Sequence, residues 1–239
     1  MKGLIVAIQF LTRLPTPRLA VSNEEFAASI CWFPAVGLIV GALVCAATVL
    51  GTQVDPWVGA LAGLALWVSV TGALHLDGLG DVADACGAAH KDRERLLAVL
   101  ADPHVGSFAV VSIGLQLAAK LVLLRVLLDA VPPVTVVFVP FAARIGPLAW
   151  TRWLPPLHEG LAARFRPAMR NTDLAIWGIL LLAASFLTPA LLAAFALIAL
   201  WGWWLGRKLG GISGDGHGAG IELVETGLLV TIIAVARLA

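Results

Sequence analysis

The chain has 239 residues, 60% of them hydrophobic and only 13% charged, with a formal net charge of +1 and a mean hydropathy of +0.94. Soluble domains carry about 25% charged residues, so this is the composition of a membrane protein. The near-neutral balance supplies no field for a polyanion and gives no argument for a nucleic-acid partner. Three cysteines (Cys31, Cys45, Cys86) form an odd set without metal-type spacing. They are assigned to neither a disulfide nor a metal site.

The opening stretch, MKGLIVAIQFLTRLPTP, resembles a signal peptide only superficially, because Arg13 follows too soon and no small-residue cleavage pattern appears. It reads as a retained interfacial helix with Phe10, Leu11 and Leu14 on one side. Beyond it, apolar segments of spanning length occupy residues 30–50, 57–76, 107–128 and 134–150. A spanning helix needs about 20 such residues. The apolar run after Asp173, extending to Leu205, is too long for one untilted span and is divided at Thr188-Pro189. A last segment covers 221–237.

Lys and Arg fall in alternate connections: Lys2, Arg13 and Arg18; Lys91, Arg93 and Arg95; Arg152, Arg164, Arg166 and Arg170; then Arg207 and Lys208. The connections near 52–56, 129–133 and 188–189 hold none. By the positive-inside rule the N-terminus is cytoplasmic, with seven spans and the C-terminus outside. Six spans result if the divided run is one tilted helix. The expected fold is all-α and polytopic, a single membrane domain over 1–239 without internal repeats.

Four constellations carry chemistry. In LHLDGLGDVAD, helical spacing places Asp77, Asp81 and Asp84 within roughly 60° around one axis. Three like charges on one face need a counter-charge, and Mg²⁺ suits oxygen ligands and brings phosphates with it. The alternative is that Asp77 caps a helix while the others are solvated. His75, one turn earlier, is a ligand, a hydrogen-bond partner or a structural residue. In GGISGDGHGAGIELVE, six glycines and Ser213 surround Asp215. The expectation is a loop whose backbone N–H groups, Gly211, Ser213 and Gly214 among them, face an anion. It opens into a helix bearing Glu222 and Glu225, acids that are expensive in an apolar span unless paired.

Lys120 and Arg144 lie inside spans and are expected to pair with a carboxylate or a substrate phosphate. Arg125, near a span's outer end, is expected to snorkel. Asp102, in DPHVGS, either caps the next helix or completes the acidic cluster.

Together these segments resemble the cobalamin synthase family, the adenosylcobinamide-GDP ribazoletransferases. The matching residues are FLTRLPTP, FPAVGLIVG from Phe33, LHLDGLGDVAD with Gly87, RLLAVLADPHVGSF from Arg95, and GGISGDGHGAGIELVE. Departures are modest: Val82 and Ser213 stand where the family usually has Thr, Ala85 where it has Gly, and His104 where it has Arg. The resemblance implies a bacterial inner-membrane enzyme with its site facing the cytoplasm. Such an enzyme transfers the cobinamide-phosphate portion of adenosylcobinamide-GDP to α-ribazole or its 5′-phosphate, releasing GMP, and requires Mg²⁺. Association with other cobalamin-pathway enzymes is compatible with that setting.

On that basis Asp77, Asp81 and Asp84 are expected to hold Mg²⁺ against the pyrophosphate. Asp81, Asp215, Glu222 or Glu225 would supply the base or further ligands, and Lys120 or Arg144 would offset developing charge. A phosphotransferase of the CDP-alcohol type would show an Arg soon after the first aspartates, which is missing after Asp84. A secondary transporter would show repeated halves.

Overall fold

The computed structural model describes residues 2–88, 93–100, 102 and 104–238. Thirteen α-helices are found among them and no strand. In chain order they are α1 (Lys2–Leu11), α2 (Asn23–Ala28), α3 (Phe33–Thr52), α4 (Pro56–Thr71), α5 (Leu74–Ala88), α6 (Arg93–Leu100) and α7 (Ser107–Ala130). There follow α8 (Phe138–Ala143), α9 (Gly146–Trp153), α10 (Leu161–Phe165), α11 (Asn171–Ser185), α12 (Ala193–Lys208) and α13 (Gly214–Leu238). Lys91 of the predicted loop cations, and Pro103, lie outside the described residues.

Five helical segments among the described residues are long and apolar enough to cross a bilayer: Asn23–Thr52, Ser107–Ala130, Pro133–Trp153, Pro189–Lys208 and Gly214–Leu238. A sixth is available if α4 and α5 count as one broken span, bent by 83°. The expected seventh is α11, which does end before Thr188-Pro189. Its 15 residues rise about 22 Å, short of a hydrocarbon core of about 30 Å. The count among the described residues is therefore five, or six with the bent pair, and α11 is only a shorter apolar helix. Pro156 and Ile212 form a parallel bridge, so the chain returns through α12 to the end it left after α9.

Glycines set the tight packing. The α3–α4 hairpin closes where Gly51 meets the Gly59 backbone and Gly63 meets Thr48. On its other face α3 presents Gly37 and Gly41 to the backbone of Val137 to Phe141. Without a hydrophobic drive between helices in lipid, such small-residue contacts supply the van der Waals attraction.

The predicted span 57–76 ends earlier, at Thr71. Gly72 (φ 60°) and Ala73 (φ 58°) both take the left-handed conformation and turn the chain into α5. Arg13 lies against Gly72 and its N–H donates to the Val70 carbonyl, pinning the corner to the N-terminal segment. As expected, α1 is helical, with Leu11 buried and Phe10 and Leu14 packed on the core. Near the far end of α7, Arg125 pairs with Asp129 at 2.7 Å and faces the Trp57 ring.

Candidate functional site

Two acidic motifs far apart in sequence meet where α5 crosses the start of α13. At Gly78 an added Cβ would sit 2.8 Å from the Asp215 carbonyl oxygen and 2.9 Å from its Cα. At Gly218 it would sit 3.2 Å from the His75 Cα. Backbone therefore rests on backbone, and only glycine permits this separation. It also corrects the expected loop. The helix begins at Gly214 rather than near 221, so Gly214, Gly216, Gly218 and Gly220 are helical. Gly220 accommodates Trp150 and Trp201, and Gly216 accommodates Ile212. These glycines serve close packing rather than loop flexibility.

The rest of the expected anion loop is similarly occupied. Gly211 abuts the Pro155 carbonyl, which accepts from the Ile212 N–H at 2.9 Å. The Ser213 hydroxyl accepts from Gly216 N–H at 3.0 Å and faces Asp215 Oδ2 at 3.4 Å, capping α13. The first turn of α13 is largely self-satisfied, with Gly216 N–H bonded to the Ser213 hydroxyl and His217 N–H to the Ser213 carbonyl.

The three aspartates of α5 do share a helix face, and they grade in exposure: Asp77 is exposed, Asp81 half-buried and Asp84 buried. Asp84 accepts from the backbone N–H groups of Gly106 at 2.7 Å and Ala109 at 2.9 Å. It thus caps α7 from a neighbouring helix, the task considered for Asp102. Asp102 instead makes a local turn, accepting from His104 N–H at 3.0 Å. The His104 N–H and ring hold the Asp102 carboxyl below the usual carboxylate range. Asp81 lies close enough to Asp215, Asp77 and Asp84 to be repelled by each. Among the described residues, no three His, Cys, Asp or Glu side chains already converge as a metal cage.

Asp77 and Asp215 line one cavity with His75, Gly214, His217 and Gly218. It encloses about 90 Å³ at the bottom of a cleft with about 540 Å³ of empty space counted to its mouth. Most of the remaining lining is apolar, including Phe10, Phe33, Leu161 and Phe165. Those three rings pack edge-to-face or stacked at centroid distances of 5.5–5.8 Å, with Phe26 behind them.

Lys120, Arg144, Glu222 and Glu225 come together away from that cavity. Lys120 Nζ lies 2.7 Å from Glu222 and 2.6 Å from Glu225, above the Trp67 ring at 4.4 Å. Arg144 Nη1 donates to Glu225 Oε1 at 2.9 Å and to the Pro140 carbonyl. Gln116 donates to Glu222 Oε2 and Thr226 Oγ1, both at 2.8 Å. Two cations and two carboxylates thus cancel inside the bundle, which is the pairing their intramembrane position demands. Glu222 sits in the third turn of α13 and Glu225 begins the fourth, so neither is at the helix start. His75 connects the two regions: its Nδ1 lies 3.5 Å from Arg144 Nη2, and its ring lines the cavity.

Sequence reasoning did not single out Gln116, Trp67, His217 or the phenylalanine wall. His217 is held by Thr151 Oγ1 at 3.0 Å beside Trp150. Phe10, Phe33 and His217 all lie within the motifs quoted above, which was the available signal.

The sequence model of the cobalamin-5-phosphate synthase family matches residues 3–233. The chain belongs to this family. A relative from Novosphingobium aromaticivorans named adenosylcobinamide-GDP ribazoletransferase is 64% identical over 236 residues, covering 97% of this chain and 96% of that protein. One of the same name from Thiobacillus denitrificans is 50% identical, covering 96% and 94%. A more distant one, from Brevibacillus brevis, is 32% identical, covering 98% of each. No solved structure matches the chain. The synthase-family motifs therefore coincide with the segments that build the α5–α13 crossing and the cavity beneath it.

Proposed function

We propose that this synthase-family protein is a Mg²⁺-dependent adenosylcobinamide-GDP ribazoletransferase of the bacterial cytoplasmic membrane, with its site facing the cytoplasm. Its products would be GMP and adenosylcobalamin, or the 5′-phosphate when α-ribazole 5′-phosphate is the acceptor. The observation that carries this reading is the glycine crossing that brings Asp77 and Asp215 to one cleft, with Asp81 near enough to feel both charges. Sidedness is supported by Arg13, Arg152, Arg164, Arg166 and Lys208 belonging to the segments at that same end of the bundle.

Oxygen donors of Asp77, Asp81 and Asp215 fit Mg²⁺, which binds through one or two carboxylates plus phosphate oxygens and water and needs no complete protein cage. When bound, the ion would neutralise the diphosphate and the departing GMP. The residues themselves do the rest. A ribazole hydroxyl oxygen bonds to the cobinamide-side phosphorus while the phosphorus bond to the bridging oxygen breaks, and GMP leaves with that oxygen. The hydroxyl proton passes to Asp77 or Asp215, the carboxylates lining the cavity. Asp84 positions α7 against α5. The buried cluster of Lys120, Arg144, Glu222 and Glu225 acts indirectly, by fixing α7, α13 and His75.

Purified protein in lipid nanodiscs should release GMP from adenosylcobinamide-GDP only with both α-ribazole and Mg²⁺ present. Changing Asp81→Asn should lower turnover by about 10²-fold or more at saturating Mg²⁺, as loss of a preorganised charge in a catalytic site does. Unimpaired release by that variant removes Asp81 from the mechanism.

A further inference from the structure

The cavity at the α5–α13 crossing is lined by two acids, Asp77 and Asp215, and otherwise mostly by rings and aliphatic side chains. Its polar inventory is short. His75 is 3% exposed, and its Nε2 is buried with no hydrogen-bond partner. Across the ring, Nδ1 faces Arg144 Nη2. A guanidinium has donors only, so Nδ1 presents its lone pair and the ring proton sits on Nε2. An N–H buried without an acceptor costs on the order of 1–3 kcal/mol, so a ligand atom that accepts from it would be favoured. His217 Nε2 is already engaged by Thr151.

We infer that this cavity is the acceptor half of the site: it receives the benzimidazole base of α-ribazole between Leu161 and the Phe10, Phe33 and Phe165 wall, with His75 Nε2–H donating to the free ring nitrogen. This rests on the transferase reading above and assigns it a subsite. A benzimidazole nucleoside has one acceptor nitrogen left on its base and no donor, which matches the unpartnered neutral donor of His75 in a largely apolar slot. Guanine carries donors and acceptors along most of its edge, and the aromatic wall would leave them unpaired. The corrin ring system with its side chains exceeds even the about 540 Å³ of the whole cleft and stays outside. Asp77 and Asp215 in the lining would receive the ribose hydroxyls, and their charges disfavour a 5′-phosphate inside the cavity.

The test uses the full chain in nanodiscs. Direct titration of α-ribazole without the GDP-activated donor comes first, followed by separate KM values for the two substrates. Leu161→Trp fills the slot and should weaken α-ribazole binding by about tenfold or more, leaving the donor KM within about twofold. His75→Phe keeps a ring but no donor and should raise the α-ribazole KM by about tenfold, while His75→Gln restores a donor and most of the affinity. If wild-type protein fails to bind α-ribazole, or if either variant shifts the donor KM and leaves the acceptor's unchanged, the inference is overturned. Intact α-ribazole binding without GMP release would overturn the transferase reading and leave this one standing.

Discussion

Replacing Gly78 by Ala tests the crossing on which the site depends. The new methyl carbon would lie 2.9 Å from the Asp215 Cα, against the 3.4 Å at which ordinary contact begins, so it is 0.5 Å too close. Both neighbours are backbone, and relief requires α5 and α13 to separate by about that amount. Overpacking of this kind costs about 1–3 kcal/mol, while Ala in place of Gly within a helix returns about 1 kcal/mol. Net destabilisation should therefore be only about 0–2 kcal/mol, and the protein should still insert. Turnover is more sensitive, because a displacement of about 1 Å between reacting groups can cost about 10²-fold. Half that displacement should lower it by about tenfold. The assay is GMP release per mole of inserted protein, alongside thermal unfolding in the same nanodiscs. Gly114→Ala, where nothing lies within 4 Å, is the control and should be as active as wild type. A Gly78→Ala enzyme within about twofold of wild type would refute the claim that this contact sets the distance between the two acidic motifs.

Three further outcomes follow from other contacts. Asp84→Asn replaces a carboxylate that caps two N–H groups of α7 and should cost about 1–3 kcal/mol, read as a lower midpoint of thermal unfolding. Lys120→Met leaves Glu222 and Glu225 with one cation between them and should destabilise by about 3–5 kcal/mol. Adding Glu222→Gln to Lys120→Met should recover part of that, and a double-mutant cycle should return a coupling of about 1 kcal/mol or more. Ala73→Gly relieves a left-handed residue at a cost of about 1–2 kcal/mol, offset by about 0.5–1 kcal/mol of chain entropy. The corner should gain up to about 1.5 kcal/mol, visible as a raised unfolding midpoint.

Much of this arrangement can be read from the residues in order. Hydropathy located the long helices, and the i, i+4, i+7 spacing correctly placed three aspartates on one helical face. The cost of charge in an apolar span anticipated that Lys120 and Arg144 would be paired, though not that both would share Glu225. What local reasoning missed was glycine's second use. A run of alternate glycines around Asp215 has the composition of a turn, and only the neighbouring helix reveals that each missing side chain makes room for a partner. The same limit hid the bend at Gly72 and Ala73: hydropathy continues through Leu76, while the 83° change of direction depends on two backbone torsions. Asp84 likewise looked like one of three equivalent acids, and its role as a cap is fixed by Gly106 and Ala109, more than twenty positions away.

The Lys120–Glu225 contact joins residues 105 positions apart, and this has a bearing on biogenesis. During synthesis, α7 enters the bilayer carrying an ammonium group whose neutralising partners are not yet translated. A lone lysine at mid-helix disfavours insertion by about 2.5–3.5 kcal/mol. Until α13 arrives that charge lacks its carboxylates, and α13 is the element that both neutralises Lys120 and delivers Asp215 to its place.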